Sequence, residues 1–155
     1  FGPNEQHKGE MRSLVQKEYE QISATGRLQL FRSHRPDYAD GDQVRDFVYV
    51  KDAAAMTLHF LENREAAGIF NVGGGSTASW NRLAKAVFSA MELPVTIDYI
   101  DMPESIRTTY QYHTCAETEK IRLSGYTAPT MTLENAVSDY IRNYLMTGRH
   151  LGEEA

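Results

Sequence analysis

Gly68-Ile69-Phe70-Asn71-Val72-Gly73-Gly74-Gly75-Ser76-Thr77-Ala78-Ser79-Trp80 sets an apolar run, a triple-glycine turn and the start of an amphipathic segment in that order. Gly68 to Val72 reads as a buried strand. Ser79 can cap a helix whose Trp80, Leu83, Val87, Phe88 and Met91 recur on one face. Strand, glycine turn and helix in succession predict α/β architecture. The turn also satisfies G-x-G-x-x-A through Ala78, with Asp98 or Asp101 following where a ribose-binding acid belongs. That fingerprint needs the helix to open within the glycines, so that its free N–H groups meet a pyrophosphate. With Ser79 as cap the helix starts several residues too late. The turn therefore reads as a flexible connection near a ligand.

The alternation extends in both directions. Upstream, Met11, Leu14, Val15, Tyr19 and Ile22 share one helical face closed by Gly26, and Leu28 to Phe31 follows as a short strand. Ser33 to Gln43 is a polar loop punctuated by Pro36 and Asp40-Gly41, long enough to suggest a functional role. Val44 to Val50 is a β-rich run with Arg45, Phe47 and Tyr49 on one face, and Asp52 stands as N-cap for a helix over Ala53 to Leu61. Downstream, Val95 to Ile100 predicts a strand. Thr114 and Glu117 have capping-box spacing for a helix running to Gly125. Thr132 opens a last helix with Leu133, Ala136, Val137, Tyr140, Ile141, Tyr144 and Leu145 on one stripe.

The 155 residues are 41% hydrophobic and 24% charged, ordinary values for a soluble globular chain. A net charge of −5 argues against general nucleic-acid binding, though a few Lys and Arg can still gather around a small anion. No apolar run suits a membrane span. Cys115 is the only cysteine, which excludes an internal disulfide and fits a reducing cytoplasm; it reads as a packing residue. The five His lack ligand spacing, so no metal is expected and His7 reads as a turn former. The chain opens on Phe1-Gly2-Pro3, with no signal-peptide pattern, and reads as cut from something longer.

One residue stands out chemically. Lys8 lies in a Gly-flanked turn just ahead of a helix, where a ligand can approach it closely. If desolvated or set beside another cation, such an amine exchanges protons near neutral pH. On spacing alone it reads more readily as a solvated surface lysine.

The runs Phe-Gly-Pro-Asn-Glu-x-His-Lys-Gly-x-Met from Phe1, Leu-Phe-x-Ser-His-Arg-Pro-Asp-Tyr-x-Asp-Gly from Leu30 and Arg-Asp-Phe-Val-Tyr-Val-Lys-Asp from Arg45 closely resemble the ADP-glycero-manno-heptose 6-epimerases. These are extended short-chain dehydrogenases/reductases of the NAD-dependent epimerase/dehydratase group. The likeness continues through Gly68 to Gly73, Tyr99 to Ser105 and Tyr110-Gln111-Tyr112, covering nearly the whole chain to Leu145. The Arg-Asp-Phe-Val-Tyr-Val run is shared widely among extended members, whereas the His-Lys-Gly turn is the more specific mark.

The resemblance implies a fold and a reaction. The fold would be the C-terminal part of a Rossmann-type dehydrogenase with its small α/β substrate-binding domain. Residues 1–147 would form that portion, including late Rossmann elements over 44–92, and 148–155 a polar tail. The reaction inverts C6″ of the heptose through a transient ketone, using bound NADP (or NAD) held mainly by an N-terminal half. Lys8 matches an acid/base residue that also meets the cofactor. Glu10 and Lys17 match positions that line the substrate site, Phe31, Arg32, Ser33 and His34 the segment that embraces the nucleotide, Arg45 a diphosphate-binding arginine, and Tyr110 a further substrate contact. Read without the resemblance, Phe31 could be strand packing, Arg45 a surface ion pair and Tyr110 a loop anchor. Glu10, Gly74 and His113 depart from the family's usual residues, which bears on substrate preference.

No Tyr is followed by Lys four residues later, and the glycine-rich cofactor loop is absent, so hydride transfer by this polypeptide alone is not expected. An ADP-sugar partner and, at full length, a homo-oligomer are implied. A 4-epimerase or dehydratase of the same superfamily, or a non-catalytic nucleotide-sugar binding module, are the alternative readings. Unpaired strand edges and apolar surface around 68–72 should leave the isolated chain poorly stable or associated. A soluble monomer with a high, cooperative thermal transition would overturn that expectation.

Overall fold

A computed structural model describes residues 1–153. A 3₁₀ turn over Gln6–Met11 leads into α1 (Leu14–Thr25), and Ser13 caps this helix by accepting a hydrogen bond from the Gln16 N–H. Gly26 ends it in a left-handed conformation with φ 69°, where a side chain would be strained. The helical face therefore starts at Leu14. Met11, counted with it in the sequence, lies in the preceding turn and is 84% exposed.

The chain then forms β1 (Leu28–Phe31), as expected, and crosses the polar loop to β2 (Val44–Arg45) and α2 (Val50–Glu62). Only two residues of the expected Val44–Val50 strand pair with a neighbour, because β3 (Ala78–Ser79) is equally short. The predicted shared face also divides: Arg45 and Phe47 turn to Trp80, whereas the buried Tyr49 donates its hydroxyl to Asp139 Oδ2 at 2.6 Å. Asp52 is not the cap of α2. That position belongs to Tyr49, and Asp52 lies in the first turn, accepting a hydrogen bond from the Met131 N–H.

Ser79 and Thr132 do cap α3 (Trp80–Ala90) and α6 (Leu133–Tyr140), through bonds from the Arg82 and Asn135 N–H groups. β4 (Ile97–Ile100) runs parallel to β1, with Leu28 opposite Ile97 and Phe31 opposite Ile100. After α4 (Glu104–Arg107), α5 (Glu119–Leu123) follows Thr118 and not the expected Thr114–Glu117 box. Thr114 is held in a different bond, its N–H donating to the Val44 carbonyl beside β2. α6 passes into one π turn, Ile141–Leu145.

The main core lies where α1, α3 and α6 pack over β1. Val15, Ile22, Leu28, Leu83, Val87, Phe88, Val137 and Ile141 are all 1% exposed or less. Each such side chain contributes roughly 1.5–3 kcal/mol by leaving water. Met56, Ile121 and Tyr126 form a separate small cluster with Phe60 and Phe70 at its edge.

The predicted strand Gly68–Val72 is the clearest correction. No strand lies beside it among the described residues, and Ile69 is 89% exposed. A strand exists by pairing, so an apolar run without a neighbour remains an extended, open edge. Ile69 and Val72 are exposed, as are Leu58 and Leu61 of α2, so apolar side chains do stand open to solvent here. Cys115 is exposed and so is not the packing residue expected. Among the described residues no helix is long and apolar enough to cross a membrane, and no three His, Cys, Asp or Glu side chains gather as metal ligands.

Candidate functional site

The end of β1, one face of α1 and the start of α3 enclose a groove of about 290 Å³. β1 places Phe31 at its last position. α1 turns Leu14, Lys17, Glu18 and Gln21 to the same side, the i, i+3, i+4, i+7 spacing of one helical face. Trp80 comes from the first turn of α3, and Tyr110 from the loop after α4.

Three aromatic rings wall the space. Phe31 meets Tyr110 edge-on, with centroids 6.4 Å apart at 82°. Trp80 Nε1 donates to the Tyr110 hydroxyl at 2.9 Å, which fixes both rings. Burial raises the titration of that hydroxyl, against the opposing influence of the Trp80 hydrogen bond and the Arg45 charge. Arg45 lies over both Trp80 and Tyr110, 5.4 Å from each centroid. It donates to the Val44 carbonyl, and among the described residues no carboxylate forms an ion pair with it. The surface ion pair considered from the sequence is thus not its arrangement.

The other expected site residues fall into two groups. Arg32, Ser33 and His34 follow directly on β1, outside the residues that line the groove. Arg32 stands between Asp40 at 3.8 Å and Asp101 at 3.6 Å. The Ser33 N–H donates to Asp40, and the His34 N–H to the Tyr112 hydroxyl at 3.0 Å. Lys17 lines the groove while donating from Nζ to the Glu10 carbonyl at 2.5 Å, with the exposed Glu10 carboxylate 3.6 Å away. Glu10 therefore acts on the groove through Lys17.

Lys8 belongs to a different cluster. Its ammonium lies 3.3 Å from the buried Glu5 carboxylate, which also accepts from Ser13 and from Tyr140. The adjacent Gly9, at φ 52°, turns the chain in a conformation that favours glycine.

The glycine turn is closed from within. The Gly74, Gly75 and Ala116 N–H groups donate to the Asp46 carboxylate at 2.8, 3.0 and 3.0 Å. A protein carboxylate holds the donors that a dinucleotide pyrophosphate would need, so that group does not fit this turn. At Gly74, one of the departures, an added Cβ would stand 2.8 Å from Asp46 Oδ1. His113, the other departure near the site, is exposed and bridges Val44 in parallel.

Reading the sequence missed three residues of this region. Trp80 was assigned to the helical core stripe, yet a half-buried indole N–H needs a partner, and that need was the available signal. Asp46 carries no pattern of its own within Arg45-Asp46-Phe47. Glu18 is 4% exposed, has no hydrogen-bond partner at Oε2 among the described residues, and is pushed up to about 8 by burial.

Residues 1–73 match the model of the NAD dependent epimerase/dehydratase family. An ADP-L-glycero-D-manno-heptose-6-epimerase of Nitratidesulfovibrio vulgaris (strain DP4) is 49% identical over 145 residues, covering 94% of this chain and 45% of the relative. The enzyme of the same name from Fusobacterium nucleatum is 39% identical over 151 residues, covering 94% and 46%. Among solved structures, the Helicobacter pylori ADP-L-glycero-D-manno-heptose-6-epimerase superposes with a TM-score of 0.72 at 25% identity, over 92% of this chain and 41% of that one. A UDP-N-acetylglucosamine 4-epimerase from Methanobrevibacter ruminantium superposes at 0.74 with 19% identity, over 95% and 44%, a likeness of fold. The chain spans a little under half the length of the curated relatives it matches. Its parallel β1–β4 pair, the sequence runs above and these matches agree in likening this chain to one part of the proteins of the NAD dependent epimerase/dehydratase family.

Proposed function

We propose that the complete polypeptide carrying this sequence is an ADP-glycero-manno-heptose 6-epimerase, and that this part of it holds the ADP-sugar. The observation that carries the reading is the groove walled by Phe31, Trp80 and Tyr110 with the Arg45 guanidinium laid over two of the rings. Flat aromatic faces suit a purine. Arg45 supplies a planar fork for diphosphate oxygens, which a lysine could not match. Lys17, steadied by Glu10, adds a second cation, and Arg32, Ser33 and His34, next along the chain from Phe31, meet the part of the nucleotide that extends beyond the groove.

The reaction inverts C6″ of the bound heptose. A bound nicotinamide cofactor, NADP or NAD, supplies reversible hydride removal and return at that carbon, and its pyrophosphate is held elsewhere than at Gly73–Gly75. Because hydride returns to the opposite face, a proton donor is required on each side of the transient carbonyl. Lys8 serves one side: it takes up or returns the proton of the C6″ hydroxyl, and Glu5 orients its amine. The tyrosine of a Tyr-x-x-x-Lys pair, outside this sequence, serves the other. The reading extends to a cytoplasmic homo-oligomer with no nucleic-acid or membrane partner.

The direct test is to incubate the complete protein and cofactor with ADP-D-glycero-D-manno-heptose and follow C6″ configuration by NMR. Inversion is expected, and unchanged substrate overturns the reading. Arg45→Ala should weaken ADP binding about 30- to 100-fold and Phe31→Ala about tenfold by calorimetry. Wild-type affinity in both variants would remove the groove from the nucleotide site.

A further inference from the structure

Resting on the nucleotide reading above, we propose that Glu18 reads the base edge of a nucleotide seated between Phe31, Trp80 and Tyr110. Glu18 lines that groove from α1, is almost wholly buried, and leaves Oε2 without a hydrogen-bond partner among the described residues. A buried carboxyl in this condition costs stability, and the core does not call for it: Val15 and Ile22 carry the packing of α1. Unpaired buried polar groups are rare in native proteins and invite an explanation. A ligand partner is the explanation the groove offers.

The chemistry of the match is specific. A neutral carboxyl presents one O–H donor and one carbonyl acceptor on a single planar edge. Adenine presents the complement, a ring nitrogen acceptor beside an exocyclic amino donor. The pair closes two hydrogen bonds in one plane while the aromatic walls hold that plane. Burial keeps Glu18 in its acid form at neutral pH, since its titration is raised to about 8. The cations facing it do not undo this: Lys17 on the same helix is engaged with Glu10, and Arg45 lies over the Trp80 and Tyr110 rings. Tyr110, the remaining titratable wall, is itself raised by burial.

Calorimetry on the complete protein tests this with two probes, ADP and purine riboside 5′-diphosphate, which lacks the exocyclic amino group. Wild type should bind ADP about tenfold more tightly, the value of one net hydrogen bond in a dry site. Glu18→Leu should bring the ratio close to one. Glu18→Gln should keep most of it, because an amide also offers a donor beside an acceptor. Equal binding of both probes by wild type overturns the assignment, and so does a ratio that survives in Glu18→Leu. Both outcomes leave the groove reading standing. Wild-type ADP affinity in Arg45→Ala and Phe31→Ala, or no ADP binding at all, defeats the groove reading first and Glu18 with it. The wild-type ratio and the Gln variant decide the matter even if Glu18→Leu fails to fold.

Discussion

Lys8→Ala in the complete protein is expected to lower kcat by a factor of about 10²–10⁴ while changing ADP affinity less than about threefold. The split follows from position. Lys8 pairs with Glu5 at the turn ahead of α1 and is not among the residues that line the aromatic groove. Removing it takes away a proton carrier and leaves the stacking faces and the Arg45 fork in place. Lys8→Arg sharpens the test, because it keeps the charge and the Glu5 contact yet cannot release a proton. Its kcat should fall nearly as far as that of the alanine variant. If both variants turn over like wild type, Lys8 is a surface partner of Glu5 and the proton carrier lies elsewhere.

Glu5→Leu should lower the thermal midpoint by roughly 8 °C, corresponding to about 3 kcal/mol in a chain of this size. Glu5 is 5% exposed and gathers several donors. Ser13 supplies its hydroxyl at 2.5 Å and its N–H at 3.3 Å, Lys8 its ammonium at 3.3 Å, and the buried Tyr140 hydroxyl lies 3.2 Å away. The leucine strands these groups and unlocks the turn from α6 at the same point. Burial works against the charged form of Glu5, but the bonds from Ser13 and Lys8 outweigh it, so its carboxyl titrates below the ordinary 4.5.

The sign of the pH dependence is then fixed. The stability Glu5 contributes is present above 4.5 and is lost as pH falls through its lower folded-state value. Glu18, raised to about 8, behaves oppositely: its contribution is present below 4.5 and lost as pH rises through about 8. Thermal unfolding from pH 3 to 5 should show a steep loss in wild type and a flatter profile in Glu5→Leu. Parallel profiles, or an unchanged midpoint at pH 7, would show that the cluster does not hold the turn.

These results rest on features of unequal legibility. Ser79, Thr132 and Gly26 announced the ends of helices, and Leu28 to Phe31 a strand, because caps and periodicity act between residues no more than a few positions apart. The resemblance picked out Lys17, Phe31, Arg45 and Tyr110, and the fold gathers these four around one groove and its rim. Pairing and burial were not legible in the same way, since they depend on what lies across from a residue. Val44 to Val50 is a strand for only two residues because β3 offers only two, and Gly68 to Val72 is no strand because no other strand pairs with it among the described residues. The glycine turn looked open in sequence and is closed by Asp46, 28 positions upstream of Gly74. Trp80 and Glu18 read as ordinary helix residues until α1, β1 and α3 met around them. The sequence by itself determined where the helices are capped and which motif residues belong together, whereas tertiary packing alone decided which strands pair, which donors are spent and which carboxyl is left without a partner.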